Sequence, residues 1–247
     1  MKPKACPEEP IVLDGFRTFE HSQYWPMDLN LVVGESLFVY GLSDAELRRS
    51  GTMRPSQKVK RALLEKKLGR PNPNATQNSV RELLSRVVPA GGSVTLRSDE
   101  HQAYSRALAK LPDRSFTHET TSSRQARTPT NPLFPVNLSD MLLRHCSSNH
   151  KRETIAFSKR RQSALYRAAI WMVWRNYMKD RSENRRIGTP AKALGLVTRS
   201  LAVNEILDCR QFPHQHGLKG WLKKCYFGRI PTRAIRNCVG HDAVYAM

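Results

Sequence analysis

Along the chain, runs of apolar and polar positions mark a succession of short elements. IVLDGFRTFE reads as a strand in which Ile11, Val12 and Leu13 deliver Asp14. Aspartate is a poor strand former, so one that ends an apolar run is either a turn residue or a site residue. YWPMDLNLVVG and ESLFVYGL follow, broken near Gly34 and Glu35, and predict an antiparallel hairpin. Ser43 to Glu46 matches the Ser-x-x-Glu capping box and predicts a helix start. From Arg48 to Pro73 the pattern turns basic and helical, with Pro55 suited to a first turn and Gly69 with Pro71 to a stop. Asn78 to Val88 is a short amphipathic helix that uses Val80, Leu83, Leu84 and Val87.

After Ala90-Gly91-Gly92 a β-rich run, Val94 to Leu96, ends at a second aspartate, Asp99. Ala103 to Leu111 reads as a helix, Ser115 to Thr121 as a strand, and Ser122 to Pro135 as a polar, Pro-rich loop. The stretch from Asn131 to Lys179 organises the rest. Its first part is a short helix entered through Pro135, on which Asn137, Asp140 and Arg144, at relative positions 0, 3 and 7, share one face. Its second part, from about Phe157, begins basic and becomes a broad apolar helix through Leu165, Ala169, Met172, Val173 and Tyr177, with Trp171 and Trp174 as core. A polar, potentially metal-facing turn is thus joined to a helix that must be buried. Beyond Lys179 come a linker, a modest helix around Leu194 to Leu207, and a basic tail punctuated by Gly and Pro. The expected organisation is a short extension (1–10), one α/β core (11–180) with a basic helical insert (48–73), and a basic C-terminal tail (181–247).

Charge changes this picture. With 41 Lys and Arg against 21 Asp and Glu the net charge is +20, which points to a polyanionic partner, nucleic acid above all. Lys58, Lys60, Arg61, Lys66 and Lys67 of the insert and Lys219, Lys223, Lys224, Arg229, Arg233 and Arg236 of the tail carry much of it. The five cysteines include no C-x-x-C pair, so no zinc ribbon is expected, and their odd number argues against a closed disulfide framework. The most apolar helix carries Arg167 and Arg175 and lacks the roughly 18 uninterrupted apolar residues of a membrane span. No apolar run at the start reads as a signal peptide, so an intracellular, cytoplasmic setting is expected.

Two strand-end aspartates followed by a polar helix is the order used for two-metal phosphoryl transfer. That chemistry needs hard oxygen ligands on different elements, holding two Mg²⁺ about 3.5–4 Å apart so that attacking and leaving oxygens are both stabilised. The strings LDGFRTFE, LRSDEHQAY, VNLSDMLLRH and KRETIAFSKRR resemble insertion-sequence transposases with a ribonuclease H-like DDE catalytic core, over about Ile11 to Lys179; TPAKALGL in the tail resembles them too. The resemblance implies a mixed five-stranded sheet flanked by helices. It also implies Mg²⁺- or Mn²⁺-dependent nicking at transposon ends and strand transfer of the freed 3′-hydroxyl into target DNA, by a homo-oligomer associated with a prokaryotic nucleoid. Asp14 and Asp99 correspond to the family's first two acidic residues and metal ligands. Thr154 to Lys159 corresponds to the T-I-x-F-S-[KR] string that follows the third.

The third position departs from the pattern. Relatives often show Val-Glu with a basic residue seven positions on, whereas here Val136-Asn137 is followed by Arg144. That register makes Asn137 the third catalytic and metal-binding residue, as in related groups with Asn in place of Glu. An amide oxygen can ligate but brings no charge. Asp140, one turn on, is an alternative carboxylate, and Glu153, in a Lys/Arg-rich linker, a further one. Asn137 as a helix N-cap with Asp140 in the first turn would need no metal. Arg144, Lys151, Arg152, Lys159, Arg160 and Arg161, beside this site, are the expected DNA contacts. His101 reads as a hydrogen-bonded helix-entry residue.

These transposases also carry an upstream zinc-ribbon or helix-turn-helix module, while here 13 residues with one cysteine precede Asp14. The expectation is a piece of a longer transposase, or end recognition residing elsewhere. A catalytically inactive remnant that binds DNA without sequence preference, and a nuclease or integrase-like enzyme that does not transpose, are the other readings.

Overall fold

A computed structural model describes residues 6–151, 158, 160–209, 217–227 and 229–230. Among them a five-stranded sheet runs in the order β3-β2-β1-β4-β5. Its strands are β1 (Ile11–Phe19), β2 (Pro26–Gly34), β3 (Val39–Glu46), β4 (Ser93–Ser98) and β5 (Ser115–Thr120). β1, β2 and β3 form an antiparallel meander, whereas β4 and β5 join parallel to β1. Helices cover both faces of this mixed α/β sheet, the ribonuclease H-like arrangement that the resemblance implies.

Strand alternation divides the core in two. Ile11 and Leu13 of β1 point to one face, where they meet Val80, Leu83 and Leu84 of α2 (Ala75–Val87) and Tyr104 and Ala107 of α3 (Gln102–Leu108). Val12 and Phe16 point to the other, against Val136 and Leu143 of α4 (Phe134–Cys146) and Leu165, Ala168 and Trp171 of α5 (Arg161–Tyr177). Trp174 packs partly buried at the margin of that second cluster. Near the end of α5 the Asn176 side chain accepts from the Val39 N–H (2.8 Å) and donates to the Val39 carbonyl (2.9 Å). It thereby supplies the edge of β3 with the partner a further strand would have given.

The basic insert is α1 (Pro55–Leu68), opened by Pro55 and stopped at Gly69, whose φ of +84° suits glycine. None of its residues is buried. It is tied down by Arg61 to the Arg49 carbonyl (2.8 Å), Arg48 to Glu65 (2.8 Å), and Lys60 over the Tyr24 ring (5.4 Å).

Three expectations are corrected. Ser43 to Glu46 is no helix start; these residues finish β3, because pairing with Met27 to Asn30 of β2 outweighs a local capping pattern. The helix around Leu194 to Leu207 is instead α6 (Pro190–Ala193) and α7 (Val203–Asp208), separated by irregular chain with Gly195 at φ +67°. Asp14 lies within β1, which runs on to Phe19, not at a strand end. A last short helix, α8 (Gly220–Tyr226), docks against α5.

Candidate active site

The register of the parallel pair brings the first two aspartates together. Leu13 of β1 is level with Ser98 of β4, so the next residues, Asp14 and Asp99, come side by side as β4 ends. Asp14 shares the face of Val12 and Phe16 and so looks toward α4. Its Oδ1 accepts the Gly15 N–H (2.7 Å). Burial pushes this carboxyl up to about 6; the Gly15 hydrogen bond opposes the rise, the Asp99 charge adds to it, and Arg127 opposes it. Asp99 is fixed from behind by the His101 N–H, which donates to its Oδ1 at 2.9 Å. His101 is the N-cap of α3, as expected, with Nδ1 accepting from the Ala103 N–H (3.2 Å).

Asp140 comes from α4, one turn after buried Val136 and three residues before buried Leu143, hence close to the stripe that faces the sheet. Its carboxyl is pushed up to about 8, by burial first and then by the charge of Asp14, against the pull of Arg144 and Arg127. Its Oδ1 is buried and has no hydrogen-bond partner among the described residues. A buried carboxyl oxygen with no donor, within the field of a second carboxylate, is a costly arrangement for a protein to keep unless something cationic relieves it.

Asn137 is half-buried inside α4, its N–H bonded to the Leu133 carbonyl (3.0 Å). Leu133 is the N-cap of that helix, so the reading of Asn137 as N-cap is corrected. Arg144, on the same side of the helix as Asn137, lies over the Phe16 ring (4.3 Å) and donates to the His150 carbonyl (3.3 Å). The His150 ring meets Phe16 edge-on (5.4 Å). Burial, with Arg167 and Arg144 nearby, pushes its pKa down to about 4, and neither ring nitrogen has a partner among the described residues.

The other expected DNA contacts divide. Lys151 is exposed, and Arg160 precedes α5. Arg161 is turned inward to Asp44 and Glu46. Arg152, Glu153 and Lys159 lie outside the described residues, as do Arg233 and Arg236 of the tail.

Three residues near the cluster escaped sequence reasoning. Arg127 belongs to the loop read only as polar; that loop is anchored by the Asn131 side chain donating to the Ala126 carbonyl (2.8 Å), and its charge acts on both Asp14 and Asp140. Tyr104 feels Asp14, Asp99, Asp28 and Asp140, and after burial their charges are what raise its pKa. Asp28 sits inside an apolar strand, a signal as clear as that of Asp14. It is neutralised by a two-pronged bond to Arg17 (2.9 and 3.2 Å).

Among the described residues no three carboxylate, imidazole or thiol side chains stand close enough to hold an ion as placed. The donor set nonetheless suits a hard divalent cation, since Asp14, Asp99 and Asp140 offer oxygen, and one of those oxygens is orphaned. No described helix is long and apolar enough to cross a membrane.

No protein-family model matches this chain, and no curated protein does. A solved structure of a simian T-cell lymphotropic virus intasome in complex with PP2A regulatory subunit B56 gamma is similar at 13% identity and a TM-score of 0.32. The match covers 76% of this chain and 54% of that one, so the chain spans about half the length of this structural relative.

Proposed function

We propose that residues 11–180 are the catalytic core of a DNA-transposing enzyme of the insertion-sequence type, which nicks DNA ends and joins the freed 3′-hydroxyl to target DNA. The observation that carries this is the buried Asp140 oxygen, unpartnered among the described residues and within reach of the Asp14 charge, on a ribonuclease H-like sheet whose register sets Asp99 beside Asp14. Asp14, Asp99 and Asp140 would hold the divalent cation, with the Asn137 amide adjacent. Asp140 is favoured over Asn137 as third ligand because its charge, burial and missing partner all call for a cation. Magnesium or manganese, when bound, lowers the pKa of an attacking water and offsets the charge of the phosphate.

The protein's own part is positional. The β1–β4 register holds Asp14 and Asp99 side by side, and the His101 N–H keeps one Asp99 oxygen from turning away. Arg127 and Arg144 place positive charge beside the carboxylates, where a scissile phosphate arrives. Water attacks phosphorus, and the bond to the 3′-oxygen breaks with that oxygen taking up a proton. The same hydroxyl then attacks a phosphodiester of target DNA and gives up its proton, while the target's own bond from phosphorus to its 3′-oxygen breaks and that oxygen takes a proton up to leave as a free 3′-hydroxyl.

The test is a nicking and strand-transfer assay on supercoiled DNA carrying the flanking repeats, with Mg²⁺, with Mn²⁺ and with chelator. Metal-dependent nicks and joined products are expected from the wild type, none from Asp14→Asn, Asp99→Asn or Asp140→Asn, and reduced amounts from Asn137→Ala. Activity in Asp140→Asn together with a dead Asn137→Ala would give the third position back to Asn137. DNA binding that weakens on the order of 10³-fold between about 50 and 200 mM salt, as expected when six or more phosphates are neutralised, but with no nick in either metal, would make the chain a DNA-binding remnant.

A further inference from the structure

We propose that the exposed aromatic and basic surface where α8 ends is a stacking platform for unpaired nucleotides of a single-stranded nucleic acid. The inner side of α8 is anchored. The Trp221 indole N–H donates to Asp44 (2.9 Å), its backbone N–H donates to Glu82 (2.9 Å), and the Cys225 carbonyl accepts from Gln162 (3.4 Å) and Tyr166 (3.2 Å). With the helix held in this way, its far end presents large rings to solvent. Tyr226 and Phe227 are 53% and 47% exposed and stand edge to face at 5.4 Å, and the hydroxyl that Tyr166 gives to Cys225 brings a third exposed ring alongside. Adjacent rings this exposed form an aromatic patch of the kind that marks an interaction surface.

Charge chooses the partner. Lys223 and Lys224 are exposed on α8, and the Arg229 guanidinium lies over the Phe227 ring at 5.4 Å. Among the described residues the acidic groups that touch α8 are engaged there, Asp44 with Arg161 and Trp221, and Glu82 with the Trp221 backbone. The outer surface is therefore aromatic and cationic together. Cations alone would suit any polyanion, duplex included. Exposed rings beside them favour bases that are not already paired, since every base offers a face to stack and the Arg229 guanidinium covers at most one side of Phe227. The ligand class is a short run of unpaired nucleotides, with phosphates on Lys223, Lys224 and Arg229 and bases on Phe227 and Tyr226. This goes beyond the nicking reaction and does not depend on the carboxylates.

The test is fluorescence anisotropy on the full chain, with labelled oligo(dT), oligo(rU) and a duplex, each of about 15 nucleotides per strand. Tyr226→Leu/Phe227→Leu is expected to weaken single-strand binding by on the order of tenfold or more while leaving the duplex unchanged. Whichever single strand suffers the larger loss identifies DNA or RNA as the source. Tyr226→Trp/Phe227→Trp should restore the affinity, which separates stacking from any change of fold. Lys223→Gln/Lys224→Gln should weaken all three ligands. Equal loss on duplex and single strand in the leucine variant, no loss on either, or failure of the tryptophan variant to recover would overturn the proposal. Asp14→Asn should bind single strands as the wild type does, so a failed nicking assay and a failed platform are told apart.

Discussion

Asp14 and Asp44 stand on the same face of the same sheet, on β1 and β3, and the protein treats them in opposite ways. The pairings Asp14 with Leu31, Leu31 with Leu42, and Leu29 with Asp44 put both toward α4 and α5. The Asp44 side chain is fully buried, but Arg161 satisfies one of its oxygens and the Trp221 indole the other, and Arg161 also reaches Glu46 at 2.6 Å. Asp14 has the N–H of its own neighbour and, around it, the charges of Asp99 and Asp140. A carboxylate that serves the fold is neutralised within the fold. One left to repel others in a partly dry site is kept for something that comes from outside.

The comparison breaks most sharply by mutation. Asp44→Ala leaves the half-buried Arg161 guanidinium with Glu46 alone and the Trp221 indole without its acceptor, and should lower stability by about 3 kcal/mol, measured by urea denaturation. Asp14→Asn and Asp140→Asn should leave stability unchanged or higher in metal-free buffer at pH 8, because each removes a repulsion, while nicking is abolished. If Asp140→Asn were as damaging as Asp44→Ala, Asp140 would be a structural group and the proposed site would lose its third carboxylate.

The same contrast explains what could be read from the sequence. Strand and helix patterning was enough for most single elements and the basic insert, since Ile11 to Leu13, Val80 with Leu83, Leu84 and Val87, and Leu165 each sit on an apolar face; the mixed sheet with helices on both sides was what the family resemblance implied. The motif strings led to Asp14 and Asp99, and the shared face of Asn137, Asp140 and Arg144 followed from spacing. Ser43 to Glu46 misled because a capping box is local, whereas β3 is made by its pairing with Met27 to Asn30 across the hairpin. The preference for Asp140 rests on an oxygen without a donor, which no one-dimensional pattern records. Arg127 was hidden in a polar loop, and the pairing of Asp44 with Arg161 and Trp221 joins residues far apart in the chain.

His150 sharpens the comparison by a third solution, burial in the neutral form. Its folded pKa, about 4, lies below the usual 6.5, so the stability it supports is present above pH 6.5 and is lost as pH falls through 4. The difference corresponds to about 3 kcal/mol. Urea midpoints for His150→Leu should therefore fall less between pH 7 and about 4.5 than those of the wild type. Parallel acid limbs in the two proteins would mean that His150 is not the group that takes up the proton.

For Asp14 and Asp140 the sign is reversed. Their folded values, about 6 and about 8, lie above the ordinary 3.8, so their contribution is complete below pH 3.8 and is lost as pH rises through 6 and then 8. A divalent cation should restore it where the carboxylates are charged. At roughly a hundredfold excess over Kd, Mg²⁺ should add about 2–3 kcal/mol at pH 8, read as a rise in Tm, and little at pH 5. Asp140→Asn should remove most of that rise. Asp44→Asn should leave the rise in place, although the whole curve sits lower.

The smallest effect concerns the second partner of Asp44. Trp221→Phe keeps a ring beneath the Arg86 guanidinium, now 4.9 Å from the indole, and deletes the N–H that reaches the Asp44 carboxylate. A hydrogen bond to a charged group contributes about 1.5–3 kcal/mol, and Arg161 remains to hold the carboxylate, so a loss near the lower end is expected. The position tests more than one bond, because Trp221 also ties α8 to Glu82 of α2 through its backbone. If α8 is clamped through the carboxylate, Trp221→Phe and Asp44→Asn should be non-additive, since the second substitution removes a contact the first has already lost. Additive losses would mean that α8 is held by its contacts to Gln162 and Tyr166 instead. Asp44 would then serve β3 and α5 alone, and the fold would keep its neutralised carboxylate even with α8 displaced.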